Sequence, residues 1–311
     1  MLTFREYLKQ PRLLFSSLLR EFGFWIPDRW YLMMKYYLET GHSLHLKNPH
    51  TFGEKIQWLK LFDRRSEYTM MVDKYAVKKY VANIIGEEYV TPTIGVWDKP
   101  EEIDFDTLPR QFVLKTTNGG GSSGVCICRD KSLISKHKIK EKLQTALEYD
   151  IFRTYREWPY GQVPRKIIAE QYIENRQGRS SEDLVDYKFY CFNGVPKYCQ
   201  VIQNRSSRET IDFFDMDWRH QPFYGLNPVY GLNPEAKPAN TPPAKPVHFV
   251  EMREIATKLS EGLVFSRIDL YDTIARPLFG EITLYPASGI GTFTPEEYNC
   301  LLGEMIKLPN R

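Results

Sequence analysis

Two carboxylates in this sequence, Asp269 and Glu281, offer the clearest prospect of chemistry. They lie in Arg267-Ile268-Asp269-Leu270-Tyr271 and Phe279-Gly280-Glu281-Ile282-Thr283-Leu284-Tyr285. Alternation along a strand puts Arg267, Asp269 and Tyr271 on one face, and Glu281, Thr283 and Tyr285 on one face. A hairpin centred near residue 275 sets Asp269 opposite Glu281, about 5 Å away. Two negative charges at that separation repel by roughly 3 kcal/mol at an effective dielectric of about 20. A divalent cation removes the repulsion, and Mg²⁺ characteristically takes one or two carboxylates together with phosphate oxygens. Arg267 offers a purely structural alternative, and an offset register would separate the acids.

A second cluster is the run Gly119-Gly120-Gly121-Ser122-Ser123-Gly124, preceded by Lys115. Its glycines match both G-x-G-x-x-G and G-x-S-x-G, but each of those motifs needs a helix directly after it. Here Val125-Cys126-Ile127-Cys128-Arg129 follows and reads as a strand. The dinucleotide fingerprint and the nucleophile elbow are therefore both excluded, and no G-x-x-x-x-G-K-[ST] is present. A strand–glycine loop–strand unit can still lay backbone N–H groups over phosphates, with Lys115 beside them. The competing reading is a surface turn.

The elements that would position these groups follow from periodicity. Residues 1–62 read as helical, with Asn48-Pro49-His50-Thr51 as a start signal before Ile56, Leu59 and Phe62. A helix over Asp73–Ile85 stops at Gly86. Strands are predicted at Phe112–Lys115, Val125–Arg129, Lys166–Ile173 and Asp186–Phe192, the last closed by Asn193-Gly194. Residues 222–246 carry the doublet Tyr224–Pro228 and Tyr230–Pro234 and read as a long irregular loop. Met252, Ile255, Ala256 and Leu259 form a helical stripe before the acidic hairpin. Helices first and mostly antiparallel strands later give an α+β fold.

Composition narrows the function classes. The chain has 311 residues, 42 Lys+Arg and 39 Asp+Glu, a net charge of +3, and 42% apolar residues. This is an ordinary globular mix, too weakly basic for a nucleic-acid partner. No stretch approaches a spanning helix, and Met1–Phe15 lacks the layout of a signal peptide. Cys126, Cys128, Cys191, Cys199 and Cys300 form an odd set without C-x-x-C spacing, as expected of reduced thiols in a cytosol. His42, His45 and His50 lack acids at zinc spacing. Leu13, Leu14, Phe15, Leu18, Leu19, Phe22 and Trp25, mixed with Arg12, Arg20 and Arg29, fit either a helix packed on the protein body or a lipid-surface contact.

Taken together, these segments resemble the ATP-grasp superfamily, most closely its TupA-like branch, associated with bacterial polysaccharide and teichuronopeptide synthesis. The likeness runs over residues 46–308, through Asn48–Lys55, Val72-Asp73-Lys74-Tyr75, Phe112–Lys115, Asp186–Gly194 and Gly280–Gly289. It implies two α+β subdomains clamping ATP, placed at 109–185 and 186–311, after a helical region at 1–70 and a linker at 71–108. By this resemblance Lys74 and Lys115 contact the α- and β-phosphates beneath the loop of Gly119, Gly120, Gly121, Ser122 and Ser123. Glu170, Gln171, Tyr172 and Ile173 meet adenine, Asp186 the ribose, and Lys188 the γ-phosphate. Asp269 and Glu281 match the Mg²⁺ ligands and Arg267 the arginine on the transferred phosphate. Thr283 stands where the family usually has Asn, a weaker oxygen donor. Arg205 and Arg208 are candidate carboxylate contacts, and Ser288 and Gly289 candidate backbone donors. The implied reaction is a cytoplasmic carboxylate–amine ligation on a glycan precursor at the inner face of the membrane, with phosphotransfer to a sugar hydroxyl or non-catalytic polysaccharide binding as alternatives.

Overall fold

A computed structural model describes residues 11–121, 123–174, 184–205, 208–227 and 237–310. Ser122 and the second half of the Tyr-Gly-Leu-Asn-Pro doublet lie outside them. The N-terminal region is helical: α1 (Pro11–Phe22), α2 (Asp28–Thr40), α3 (Phe52–Phe62), α4 (Glu67–Val72) and α5 (Ala76–Ile85). The start signal before α3 works as a capping box. Thr51 Oγ1 accepts from Glu54 N at 3.2 Å, and Glu54 Oε2 accepts from Thr51 N at 3.0 Å. One face of α3, carrying Phe52, Ile56 and Leu59, is buried in the main core.

Two antiparallel sheets follow. The first contains β1 (Thr93–Trp97), β2 (Phe112–Thr116), β3 (Val125–Cys128) and β4 (Ile167–Gln171), in the order β1-β4-β2-β3. Phe112, Leu114, Cys126, Cys128, Ile167 and Ala169 face a core closed by Leu143 and Leu147 of α6 (Lys136–Glu148). The opposite face carries Lys115 and Glu170. Strand β1 falls in the segment read as a linker; its β-branched residues find their partner far along the chain, where Val96 pairs with Ile168. A short helix, α7 (Ile151–Tyr155), precedes β4.

The second sheet contains β5 (Asp186–Phe192), β6 (Val195–Gln203), β7 (Thr210–Asp215), β9 (Phe265–Asp272) and β10 (Pro277–Thr283), ordered β10-β9-β5-β6-β7. All seven residues of the central strand β5 are buried. Asn193 and Gly194, at φ 51° and 79°, make the tight turn into β6 that the sequence indicated. α8 (Phe249–Ser260) packs Phe249, Met252, Ile255 and Leu259 into the same core.

The irregular-loop reading of 222–246 needs correction. Tyr224–Asn227 is strand β8, paired with β11 (Thr292–Thr294) just before the closing helix α9 (Tyr298–Met305). Its turn-like residues are held extended by a partner about 70 positions distant, which local sequence does not reveal.

Candidate active site

The acidic hairpin forms in the expected register: Asp269 opposes Glu281, Arg267 opposes Thr283, and Lys188 of β5 opposes Asp269 from the other side. A bulge at Gly280 makes this possible. Toward the turn, Phe279 pairs with Leu270, and continuing that register would set Asp269 against Gly280. One extra residue shifts Glu281 into place.

Around this pair the side chains form a dense ionic cluster. Arg267 grips Asp269 with two bonds of 2.7 Å, Nε to Oδ1 and Nη2 to Oδ2. The same Nη2 donates to Glu281 Oε1 at 2.9 Å and Thr283 Oγ1 at 3.0 Å. Three oxygens from the three anticipated ligand residues thus converge on one cationic nitrogen. Lys188 Nζ donates to Asp269 Oδ2 and lies 3.8 Å from Asp186, which in turn takes Arg205 Nε at 2.6 Å.

A similar cluster sits on the first sheet. Lys115 Nζ meets Glu170 Oε2 at 2.5 Å, and Lys78 Nζ meets Glu170 Oε1 at 2.6 Å. Lys74 Nζ donates to the carbonyl of Gly119, fastening the start of α5 to the glycine loop. The loop closes where Thr116 N donates to Gly124 O at 3.2 Å. A Cβ on Gly124 would come within 2.5 Å of Thr116 Oγ1, so the approach needs glycine.

Lys74 joins the two clusters electrostatically. Burial draws its ammonium down, opposed by the charges of Glu281 and Glu170, while Lys115 adds to the lowering. Burial alone would raise the Glu281 carboxyl, but Lys74, Lys188 and Arg267 outweigh it and hold Glu281 well below the usual range. Asp269, at 2% exposure, is pushed upward by burial despite Arg267 and Lys188. Glu170 ends below its ordinary value because Lys115 and Lys78 overcome burial. Two acids in one site are thereby driven in opposite directions, a pattern common at catalytic centres. Together the two clusters form a belt with a positive surplus. Lys74, Lys78, Lys115, Lys188, Arg205 and Arg267 face Glu170, Asp186, Asp269 and Glu281, while Asp73 is turned to cap α5 at Tyr75 and Ala76.

Of the residues expected to meet adenine, Gln171, Tyr172 and Ile173 line a cleft of about 900 Å³ with Thr91, Pro92 and the hairpin tip Thr273–Ala275. Glu170 points away from it, into Lys115 and Lys78. Ser123 Oγ reaches only Gly120 O, at 3.5 Å. Ser288 does not offer its backbone N–H to the site. That group donates to Tyr285 O, while the Ser288 carbonyl accepts from Lys60 at 2.7 Å and Gln57 at 2.8 Å. His45 does have an acid partner, Glu54, at 2.6 Å, but no group of three or more His, Cys, Asp or Glu side chains placed to hold a metal occurs among the described residues. All five cysteines are free thiols.

Sequence reasoning missed two members of the site. Lys78 stands in the first turn of α5, four residues after Lys74 in the turn that precedes the helix, a spacing that was available as a signal. Tyr160 follows α7 in a short 3₁₀ turn. Burial, then Glu157 and Glu281, pushes its hydroxyl well above normal, and Arg267 lies close enough to oppose them. No local signal marks it.

A sequence model of the family described as TupA-like ATPgrasp matches residues 54–307. Curated proteins give no match. Among solved structures, D-alanine–D-alanine ligase of Bacillus anthracis is 18% identical, with 76% of this chain and 66% of that chain covered at a TM-score of 0.42. The Helicobacter pylori ligase gives 14%, 83%, 69% and 0.43 for the same measures. A RimK domain ATP-grasp protein of Sphaerobacter thermophilus gives 13%, 78%, 70% and 0.40. The chain spans about two thirds of the length of these structures, and likenesses this loose carry no functional argument.

Proposed function

This chain belongs to the TupA-like ATP-grasp family, with its α+β fold, and from that premise we propose an ATP-dependent carboxylate–amine ligase acting in cell-surface polysaccharide biosynthesis. The observation that carries the reading is the convergence of Asp269, Glu281 and Thr283 on Arg267 Nη2. Hard oxygen donors gathered about one point occupied by a cationic nitrogen fit a magnesium ion. Asp269 and Glu281 would hold it, with Thr283 as the weaker third donor. A Mg²⁺ held there would supply Lewis-acid neutralisation of phosphate charge.

The remaining roles belong to the chain's own side chains. Lys74 and Lys115 hold the α- and β-phosphates, and the positive surplus of the belt suits a polyanion. The glycine loop, already tied to Lys74, covers the phosphates with backbone N–H groups. Glu170 orients Lys115 and Lys78, so adenine recognition falls to the backbone of Gln171–Ile173 at the edge of the cleft. Asp186 takes the ribose, and Lys188 and Arg267 neutralise charge as the γ-phosphoryl group moves to the acceptor carboxylate. An amine then displaces phosphate from the acylphosphate. Arg205 is committed to Asp186 and supports it.

The test is ADP and phosphate release from Mg-ATP, screened against amino acids and uronic acids paired with amine-bearing sugar nucleotides. Release of both products with an amide formed supports the ligase. Phosphate retained on a sugar hydroxyl favours the phosphotransferase, and glycan binding without turnover rejects both.

A further inference from the structure

We propose that α1, α2 and the turn between them form a peripheral docking surface for an anionic lipid bilayer. The two readings of this segment divide it by face. Leu13 and Ser16 of α1 are buried against the body, while Leu14, Phe15, Leu18 and Phe22 project outward. Phe22 is 67% exposed, Phe24 71%, Trp25 73% and Trp30 59%, and Met34 and Tyr37 continue the outer face along α2. A helix of a globular protein normally turns only one apolar face inward. Here a second apolar face points to solvent, and a contiguous exposed patch of this kind marks an interaction site.

The underside is anchored, so the helices cannot roll over to bury the patch. Tyr31 Oη donates to the carbonyls of Arg153 and Thr154 at 3.0 Å each. The Arg156 guanidinium stacks 3.9 Å from the Tyr31 ring and donates to Gly23 O at 2.9 Å. Lys35 Nζ reaches Ser16 Oγ at 2.7 Å and Glu39 at 2.8 Å, locking α2 to α1.

Charge and side-chain type identify the partner. Glu21 is met by Arg20 at 2.8 Å and Arg153 at 3.7 Å. Asp28 is met by Arg64 at 2.7 Å and Arg156 at 3.2 Å. Arg156 is buried beneath Tyr31, but Arg20, Arg64 and Arg153, with exposed Arg29, still set four solvent-accessible guanidiniums against two carboxylates at the margin of the patch. That surplus complements anionic headgroups. Indole rings beside phenyl and leucyl side chains suit the headgroup–acyl boundary. The side chains project from the outside of two helices rather than lining a groove, a shape that a deformable lipid interface accepts. No helix among the described residues is long and apolar enough to cross a membrane, so this contact is peripheral.

The experiment is flotation of the full chain with phosphatidylcholine vesicles, with and without phosphatidylglycerol. Wild type is expected to float with the anionic vesicles and to partition more weakly onto the neutral ones. A Phe22→Ser/Trp25→Ser/Trp30→Ser variant is expected to lose roughly a hundredfold in partition coefficient, from the apolar area it no longer buries, and to melt as wild type does. Arg29→Glu should weaken binding to anionic vesicles alone. Wild type that stays out of the floated fraction, or a triple variant that floats equally well, overturns the proposal. So does a wild-type dimer that ignores vesicles and that the triple variant dissociates, because the patch would then be covered by a second copy.

Discussion

Replacing Asp269 by Asn separates the structural from the catalytic duty of the acidic pair. Asp269 is 2% exposed and accepts two bonds from Arg267 and one from Lys188. An amide there leaves both cations buried with less countercharge. Breaking a buried ion pair by removing one partner typically costs about 3–5 kcal/mol. At roughly 2 °C per kcal/mol for a domain of this size, the melting temperature should fall by about 6–10 °C. That loss stays within the ordinary stability of a folded domain, about 5–15 kcal/mol, so the chain remains folded. Glu281→Gln provides the contrast. Glu281 is 32% exposed on its side chain and accepts from Arg267 and Thr283 with Lys74 and Lys188 nearby, so its loss should cost less than that of Asp269, about 1–3 kcal/mol. Both variants nevertheless remove a proposed cation ligand, and on that proposal both should lower Mg-dependent ADP formation by at least about a thousandfold. Calorimetric unfolding and a coupled ADP assay on the same preparations decide the matter. Equal melting temperatures for the two variants would refute the energetic reasoning, since Asp269 would then not be the ionised hub of the cluster. Retained turnover in either variant would refute the chemical reasoning.

Other expectations follow from the same geometry. Lys115→Ala should reduce kcat/KM for ATP by about a hundredfold or more, while Lys78→Ala, acting through Glu170, should cost about tenfold; steady-state kinetics measures the difference. Gly280→Ala puts a Cβ 3.0 Å from the Asp269 carbonyl and 3.1 Å from the Tyr271 ring, straining the bulge. It should lower stability by about 1–3 kcal/mol and depress turnover more than a surface substitution does. Acid dependence follows from Glu281. Its folded carboxyl lies below the ordinary 4.5, so its stabilising contribution is complete above that pH and is lost as pH falls through the lower folded value. The gap in melting temperature between wild type and Glu281→Gln should therefore hold constant above about pH 5 and close in more acid buffer.

The pairing of Asp269 with Glu281 was legible because two alternating strands and a short turn leave few registers. The Gly280 bulge was not, since it adds one residue whose effect shows only once both strands are paired. The helix start signal ending at Thr51 and the Asn193-Gly194 turn are local devices and read directly from sequence, while the reciprocal bonds of Glu54 appear only in the structure. Strands β1 and β8 are not local: each is stabilised by a partner about 70 positions away, so periodicity alone left one in a linker and the other in a loop. Lys115 was identified from its place before the glycine loop, but its neutralisation by Glu170 depends on cross-strand pairing of β2 with β4. The outward apolar face of α1 was visible as composition. Which side packs inward was decided by tertiary anchors such as Tyr31 and Arg156.

The central claim is that Asp269, Glu281 and Thr283 gather around a divalent cation. Electron paramagnetic resonance of Mn²⁺, used in place of Mg²⁺ with ADP, measures this directly. The account predicts nucleotide-dependent Mn²⁺ binding by the wild-type chain and its loss in an Asp269→Asn/Glu281→Gln variant that remains folded. Mn²⁺ bound with equal affinity by both proteins would contradict it.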